Sequence, residues 1–126
     1  MTNKYSAQNI AAYFIYEVNE LKSFINNEVL QYMLADVDAA WHKHFGNSAF
    51  TEEVAVSCDY TVKTVYDAYA ELGEQHIEAP AKEWDLPYGT FQLVYRPFAV
   101  PAFTADEERI VRNVIRHYRL LATQAV

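Results

Sequence analysis

Cysteine occurs once in these 126 residues, at position 58, so no internal disulfide can staple the fold. Glycine is equally scarce, with three residues, and the four prolines stand at 80, 87, 97 and 101. Chain breakers are therefore confined to the later part. Long helices early and an irregular segment late are the expectation. No apolar run approaches the roughly 20 residues needed to span a bilayer, and no charged-then-apolar leader opens the chain, so a cytoplasmic location is expected. Positive charge is also in short supply: ten Lys and Arg face seventeen Asp and Glu, a formal net charge of −7. An average surface of that sign repels a phosphate backbone, which makes nucleic acid a poor first partner.

What the chain does have is apolar and aromatic material. Residues of hydrophobic type make up 52% and aromatics 15%, enough for burial to offset ordering entropy without a metal or disulfide. A length of 126 residues suits one domain with one core.

The strongest periodic stretch is Asn26 to Phe45, where Val29, Leu30, Met33, Leu34, Val37, Trp41 and Phe45 follow helical spacing and Gly46 stands where a left-handed cap belongs. An earlier helix is expected after Ser6, with Ile10, Phe14 and Val18 on one face. Asp59 is placed to cap a third, carrying Val62, Val65, Tyr66, Tyr69 and Leu72 inward and ending at Gly73. Thr104 and Glu107 match a capping box that opens a fourth, with Ile110, Val111, Val114, Tyr118 and Leu121 inward. Between them, Val54, Val56 and Cys58 alternate, as do Phe91, Leu93 and Tyr95; pairing the two runs makes a small two-stranded ribbon. Residues 74–103 lack any sustained period but hold Trp84, Tyr88, Phe91, Tyr95 and Phe98, too much aromatic surface to leave wet. The fold class expected is a mostly α, compact bundle of about four main helices with an irregular aromatic-rich wrap.

Candidate chemistry is thin. His42 and His44 are two apart on a helix and point in nearly opposite directions, so they cannot share a metal ion, and no metal or other cofactor is expected. Nothing local lowers the Cys58 thiol, and a small thiol in an alternating apolar run reads as core. The pairs Glu52-Glu53 and Glu107-Glu108 are assigned to solvent, since general acid-base work needs carboxyls held in a cleft. Arg109, Arg112, Arg116 and Arg119 form a basic stripe at helical spacing; it is either a contact surface or, with greater weight, a solvated face paired to nearby carboxylates. No phosphate loop, nucleophile elbow or dinucleotide fingerprint is present.

The order of several motifs resembles the Panacea domain, a family of antitoxins and phage-associated proteins. Tyr5-Ser6-Ala7-Gln8-Asn9-Ile10-Ala11-Ala12-Tyr13-Phe14-Ile15 is similar to its first helix. Asn27-Glu28-Val29-Leu30-Gln31-Tyr32-Met33-Leu34 with Trp41-His42 and Phe45-Gly46 is similar to its Leu-Gln-Lys-Leu-Leu-Tyr helix and Phe-Gly end. Glu52, Glu53, Val54 and Ala55 stand at its acidic turn, and Val65-Tyr66 with Tyr69 at its Val-Tyr helix. Departures are Cys58-Asp59-Tyr60 in place of Tyr-Gly-Pro, and Tyr32 in place of the motif's Lys; the Ser-Ala-Trp-Glu-Leu type segment of the family is expected to be missing after the acidic helix start.

That resemblance implies a non-enzymatic protein that neutralises or delivers a toxin by binding it. Ten tyrosines exceed what one core needs, and Tyr32, Tyr60, Tyr88 and Tyr95 are the candidate partner contacts. A second reading is a phage-encoded inhibitor of a bacterial nuclease defence, of anti-CRISPR type, whose acidic surface mimics DNA. A third, a DNA binder using the arginine stripe, needs that stripe exposed; a hydrolase needs a His and a carboxylate gathered in one pocket.

Overall fold

The computed structural model describes the backbone of residues 4–55, 60–85, 94–98 and 100–124, and the side chains among them other than those of 82–85, 94–97 and 119–124. Among the described residues four α-helices carry the architecture: α1 (Ala7–Glu20), α2 (Asn27–Phe45), α3 (Lys63–Ala68) and α4 (Ala105–Gln124). The mostly helical expectation holds. Among the described residues, the helices meet in a core that joins Ile10 and Phe14 of α1, Leu30, Leu34, Val37 and Trp41 of α2, Val65 of α3, and Val111 of α4.

The helix α2 forms where the spacing predicts it. Asn26 is extended and its Oδ1 accepts from the Val29 amide at 2.9 Å, satisfying one of the free amides of the first turn. At the other end Gly46 takes φ +82° and its amide donates to His42 O. That left-handed cap is open to glycine at no steric cost. The face between the caps is dry, with each fully buried aliphatic side chain contributing roughly 1.5–3 kcal/mol.

The helix α1 is capped differently from the expectation. Ser6 occupies the cap position, yet its hydroxyl makes no capping bond and donates to Glu52 Oε2 at 3.0 Å. The Glu52 carboxylate itself accepts from the Ala7 amide, at 2.9 Å through Oε1 and 3.2 Å through Oε2. Glu52 is thus corrected from solvent to a half-buried cap supplied from 45 residues away. A carboxylate gains more than a hydroxyl there because the helix dipole adds to the hydrogen bond.

The capping box of α4 forms as read: the Glu107 amide donates to Thr104 Oγ1 and the Thr104 amide to Glu107 Oε1. Its glutamate is nevertheless buried, at 1% exposure, which corrects its assignment to solvent. The reason is Tyr5, whose hydroxyl also donates to Glu107. The Tyr5 ring meets Trp41 and Phe103 edge-on, with centroids 6.1 and 5.1 Å away, and Phe103 reaches Tyr13 at 5.2 Å. Tyr5 also pairs its backbone with Ala49 and Thr51. Buried Asp38 holds that loop to α2, accepting from Ser48 Oγ and the Ala49 amide. Around Tyr5, then, the amino ends of α1 and α4 and the loop after α2 converge.

The third helix is shorter than expected. After α3 the chain tightens into a 3₁₀ turn, Ala70–Leu72, and Gly73 ends it as predicted, at φ +57°. Its first turn is rich in β-branched residues, which lose side-chain freedom in a helix. Asp59, the expected cap, lies outside the described residues.

A two-stranded ribbon exists, but with another partner. Strands β1 (Lys82–Asp85) and β2 (Val94–Pro97) pair antiparallel, with Lys82 opposite Pro97 and Asp85 opposite Val94. Val54 and Ala55 take no part: the Ala55 amide donates to Thr61 O. Pairing strands close in sequence leaves a shorter loop and a smaller entropic cost than pairing across some 40 residues. Val56, Cys58, Phe91 and Leu93, the remaining members of the expected ribbon, lie outside the described residues.

Candidate functional site

The first two turns of α2 form one wall of a cleft of about 440 Å³. Glu28 and Tyr32 stand on that wall; Tyr66, Ala70, Gly73 and Glu74 face them across it, and Asn27 and Gln31 also line it. Its volume lies in the range of about 300–1,000 Å³ usual for ligand pockets.

Hydrogen bonds fix the geometry from below. Gln31 is 3% exposed, although it sits on the helix that builds the core. Its Oε1 accepts from the Thr61 amide at 2.8 Å and the Val62 amide at 3.2 Å, and its backbone oxygen accepts from Thr61 Oγ1 at 2.7 Å. One glutamine therefore receives the free amides ahead of α3, which has no cap of its own. Asn27 adds a bond from Nδ2 to Tyr66 O. Loss of Gln31 strands the Thr61 and Val62 amides, and loss of Asn27 removes the donor that serves the Tyr66 carbonyl.

The far wall is pinned by residues 25 and 26. Asn26 Nδ2 donates to Glu74 O, the Ile25 amide donates to His76 Nδ1, and the Ile77 amide donates to Ile25 O. With Nδ1 accepting, the imidazole carries its proton on Nε2, which lies 2.7 Å from Asn19 Oδ1. The Leu72–Gln75 turn closes through a bond from the Gln75 amide to Leu72 O, with Gly73 at φ +57° and ψ −123° as its second residue. That conformation is the mirror-image turn position that glycine fills most readily.

The chemistry of the walls is acidic and aromatic. Tyr32 is 55% exposed and its hydroxyl lies 3.4 Å from Glu28 Oε1. Glu28 and Glu74 are both exposed, and no Lys, Arg or His among the described residues pairs with either. Glu28 suits the positive end of α2, but Glu74 has no such local reason for its place. Tyr66 stacks at a tilt on Tyr60, with centroids 5.7 Å apart.

Of the four tyrosines expected to contact a partner, Tyr32 lines the cleft and half-buried Tyr60 supports it through Tyr66. Tyr88 lies outside the described residues; Tyr95 is placed by backbone alone, in β2. Glu28 and Glu74 are not among the contacts expected from sequence, and Tyr66, expected inward, is half-buried and lines the cleft. Gln31 carried a usable signal, a polar residue flanked by core positions of one helix.

Two of the four arginines of the stripe are paired. Arg109 lies 3.5 Å from Asp106 and Arg112 2.9 Å from Glu108, each within α4, while Arg116 is exposed; the Arg119 side chain lies outside the described residues. Tyr118 of the same helix interacts with Asp36 of α2. Burial pushes its phenol well above the ordinary value, and the Asp36 charge adds to the shift. His42 pairs with Asp38 at 3.6 Å. Among the described residues no group of three or more His, Cys, Asp or Glu could hold a metal ion, and no helix is long and apolar enough to cross a membrane. Comparison with known proteins found no matching family model, no matching curated protein and no matching solved structure.

Proposed function

We propose that this chain is a non-enzymatic, protein-binding module, a divergent relative of the Panacea antitoxins that neutralises or delivers a partner toxin through direct contact. The observation that carries this reading is the cleft at the amino end of α2, which exposed Tyr32 lines together with Glu28 and Glu74, carboxylates that no cation among the described residues pairs. Tyrosine covers a large contact area at small entropic cost, and the net charge of −7 steers the chain toward a basic partner. Buried amides hold the walls in place, so little ordering cost falls on this side of the interface.

A second reading, inhibition of a nuclease defence by an acidic surface, draws support from one stretch of sequence. Between Lys63 and Ala81 stand Asp67, Glu71, Glu74 and Glu78, and no Lys or Arg follows Lys63 there. Pairing of Arg109 and Arg112 to carboxylates of their own helix weighs against the DNA-binding alternative.

Affinity capture from the native lysate at low and high salt, with bound proteins identified by mass, tests the reading. Retention of a small basic protein at high salt, weakened by Tyr32→Ala, is the expected result. Release by salt of a large nuclease complex favours the second reading.

A further inference from the structure

We infer that the cleft between α2 and the Leu72–Gln75 turn receives an arginine side chain from the partner protein. This inference rests on the protein-binding reading above and names what the bound segment must contain. Three features of the lining converge on it. Two carboxylates, Glu28 and Glu74, line the same cavity, and no cation among the described residues neutralises either. Two phenol rings, Tyr32 and Tyr66, line it with them. Its floor is closed by amides already engaged in holding the fold, Asn27 with Tyr66 and Gln31 with Thr61 and Val62.

A guanidinium fits that combination better than an ammonium. Its flat face stacks on tyrosine rings, and its fork of donors serves two acceptors in one plane. A lysine brings the charge without the plane. A metal ion is a poorer fit, because no third His, Cys, Asp or Glu among the described residues joins the two carboxylates. Nucleic acid is repelled by the same two groups. Exposed carboxylates alone give weak ion pairs, so affinity must come from stacking combined with charge inside a concave wall. The cavity exceeds one side chain, and it therefore takes the residues flanking the arginine as well.

The test uses the full isotope-labelled chain, titrated to millimolar concentration with the peptide acetyl-Gly-Arg-Gly-Arg-Gly-amide while amide shifts are followed. The matched lysine and citrulline peptides are titrated in parallel. Expected is saturable movement of amides 27–32 and 66–74, binding of the lysine peptide at least about threefold weaker, and no binding of the citrulline peptide. Glu28→Gln and Glu74→Gln should each weaken binding by about three- to tenfold. Glu78→Gln makes the same charge change on an exposed residue outside the cleft and should leave affinity unchanged. Equal binding of the lysine peptide, equal loss in Glu78→Gln, or no shift at millimolar peptide overturns the inference. A captured native partner whose affinity survives both cleft variants overturns it too, while leaving the protein-binding reading intact.

Discussion

The Tyr5 hydroxyl donates to Glu107 Oε1 at 2.6 Å, a bond that joins positions 102 residues apart and anchors the first described residues to the start of α4. The same oxygen accepts from the Thr104 amide, so one carboxylate serves both the cap and the tether. Glu107→Ala should cost about 2–4 kcal/mol and Tyr5→Phe about 1–3 kcal/mol, because each strands a polar group out of water. Urea denaturation of the variants checks both figures, and additivity in the double variant would count against a shared bond.

Glu52 makes stability depend on acid. Burial pushes its carboxyl up, but bonds from the Ala7 amide and from the Thr51 and Ser6 hydroxyls outweigh that and hold it below the ordinary glutamate value. A group lowered on folding contributes stability that is fully present above its unfolded pKa and is lost as pH falls through the folded one. The natural chain should therefore lose more stability than Glu52→Gln on going from about pH 6 to about pH 3. Denaturation midpoints across that range measure the difference.

Gln31→Leu keeps the size of the side chain and removes its acceptor. The Thr61 and Val62 amides then lose their partner, and a loss of about 2–3 kcal/mol is expected. Hydrogen exchange should quicken at Thr61 and Val62 beyond the effect of global destabilisation. Unchanged exchange at those two amides would rule out the capping role.

Two buried tyrosines should respond in opposite ways. The Tyr69 hydroxyl accepts from the Ala81 amide at 2.8 Å, whereas the Tyr13 hydroxyl is buried with no hydrogen-bond partner among the described residues. Tyr69→Phe is expected to cost about 1–3 kcal/mol, and Tyr13→Phe to be neutral or slightly stabilising. Thermal unfolding of the pair separates the two cases.

Among the described residues, no atom beyond the adjoining backbone lies within 4 Å of where a Cβ would sit on Gly46 or Gly73, so backbone conformation distinguishes them. Gly46→Ala should cost about 1 kcal/mol at its left-handed cap. Gly73→Ala should cost more, about 1–3 kcal/mol, because φ +57° with ψ −123° disfavours side chains further. Gly73→Ala should also weaken peptide binding in the cleft, which Gly46→Ala should spare.

The caps of α2 and α4 are legible in the sequence because each is written within a few residues: Asn26 or Asn27 at the start of α2, Gly46 after Phe45, Thr104 with Glu107. The cap of α1 is not, since Glu52 reaches Ala7 only after the loop beyond α2 has folded back. Burial of Glu107 is hidden for the same reason, its partner being Tyr5. The ribbon pattern identified one strand in part, Tyr95 belonging to β2, but alternation carries no record of the partner strand. Tyr32 could be read as exposed because it faces away from the apolar stripe of its helix. Glu74 could not be joined to it, because their meeting depends on contacts of Ile25 and Asn26 with residues 74–77.

Linking Tyr5 to Glu107 also sets the order in which the chain can mature on the ribosome. Synthesis delivers α1 and α2 long before α4, yet the bond that Tyr5 makes to Glu107 and the packing of α2 on α4 both need that helix. Until then the amino-terminal segment lacks its anchor and the α4-facing side of α2 stays open to water. A nascent chain of this design stays accessible to chaperones and proteases until α4 emerges and docks, and closing so large a loop makes that docking a late step.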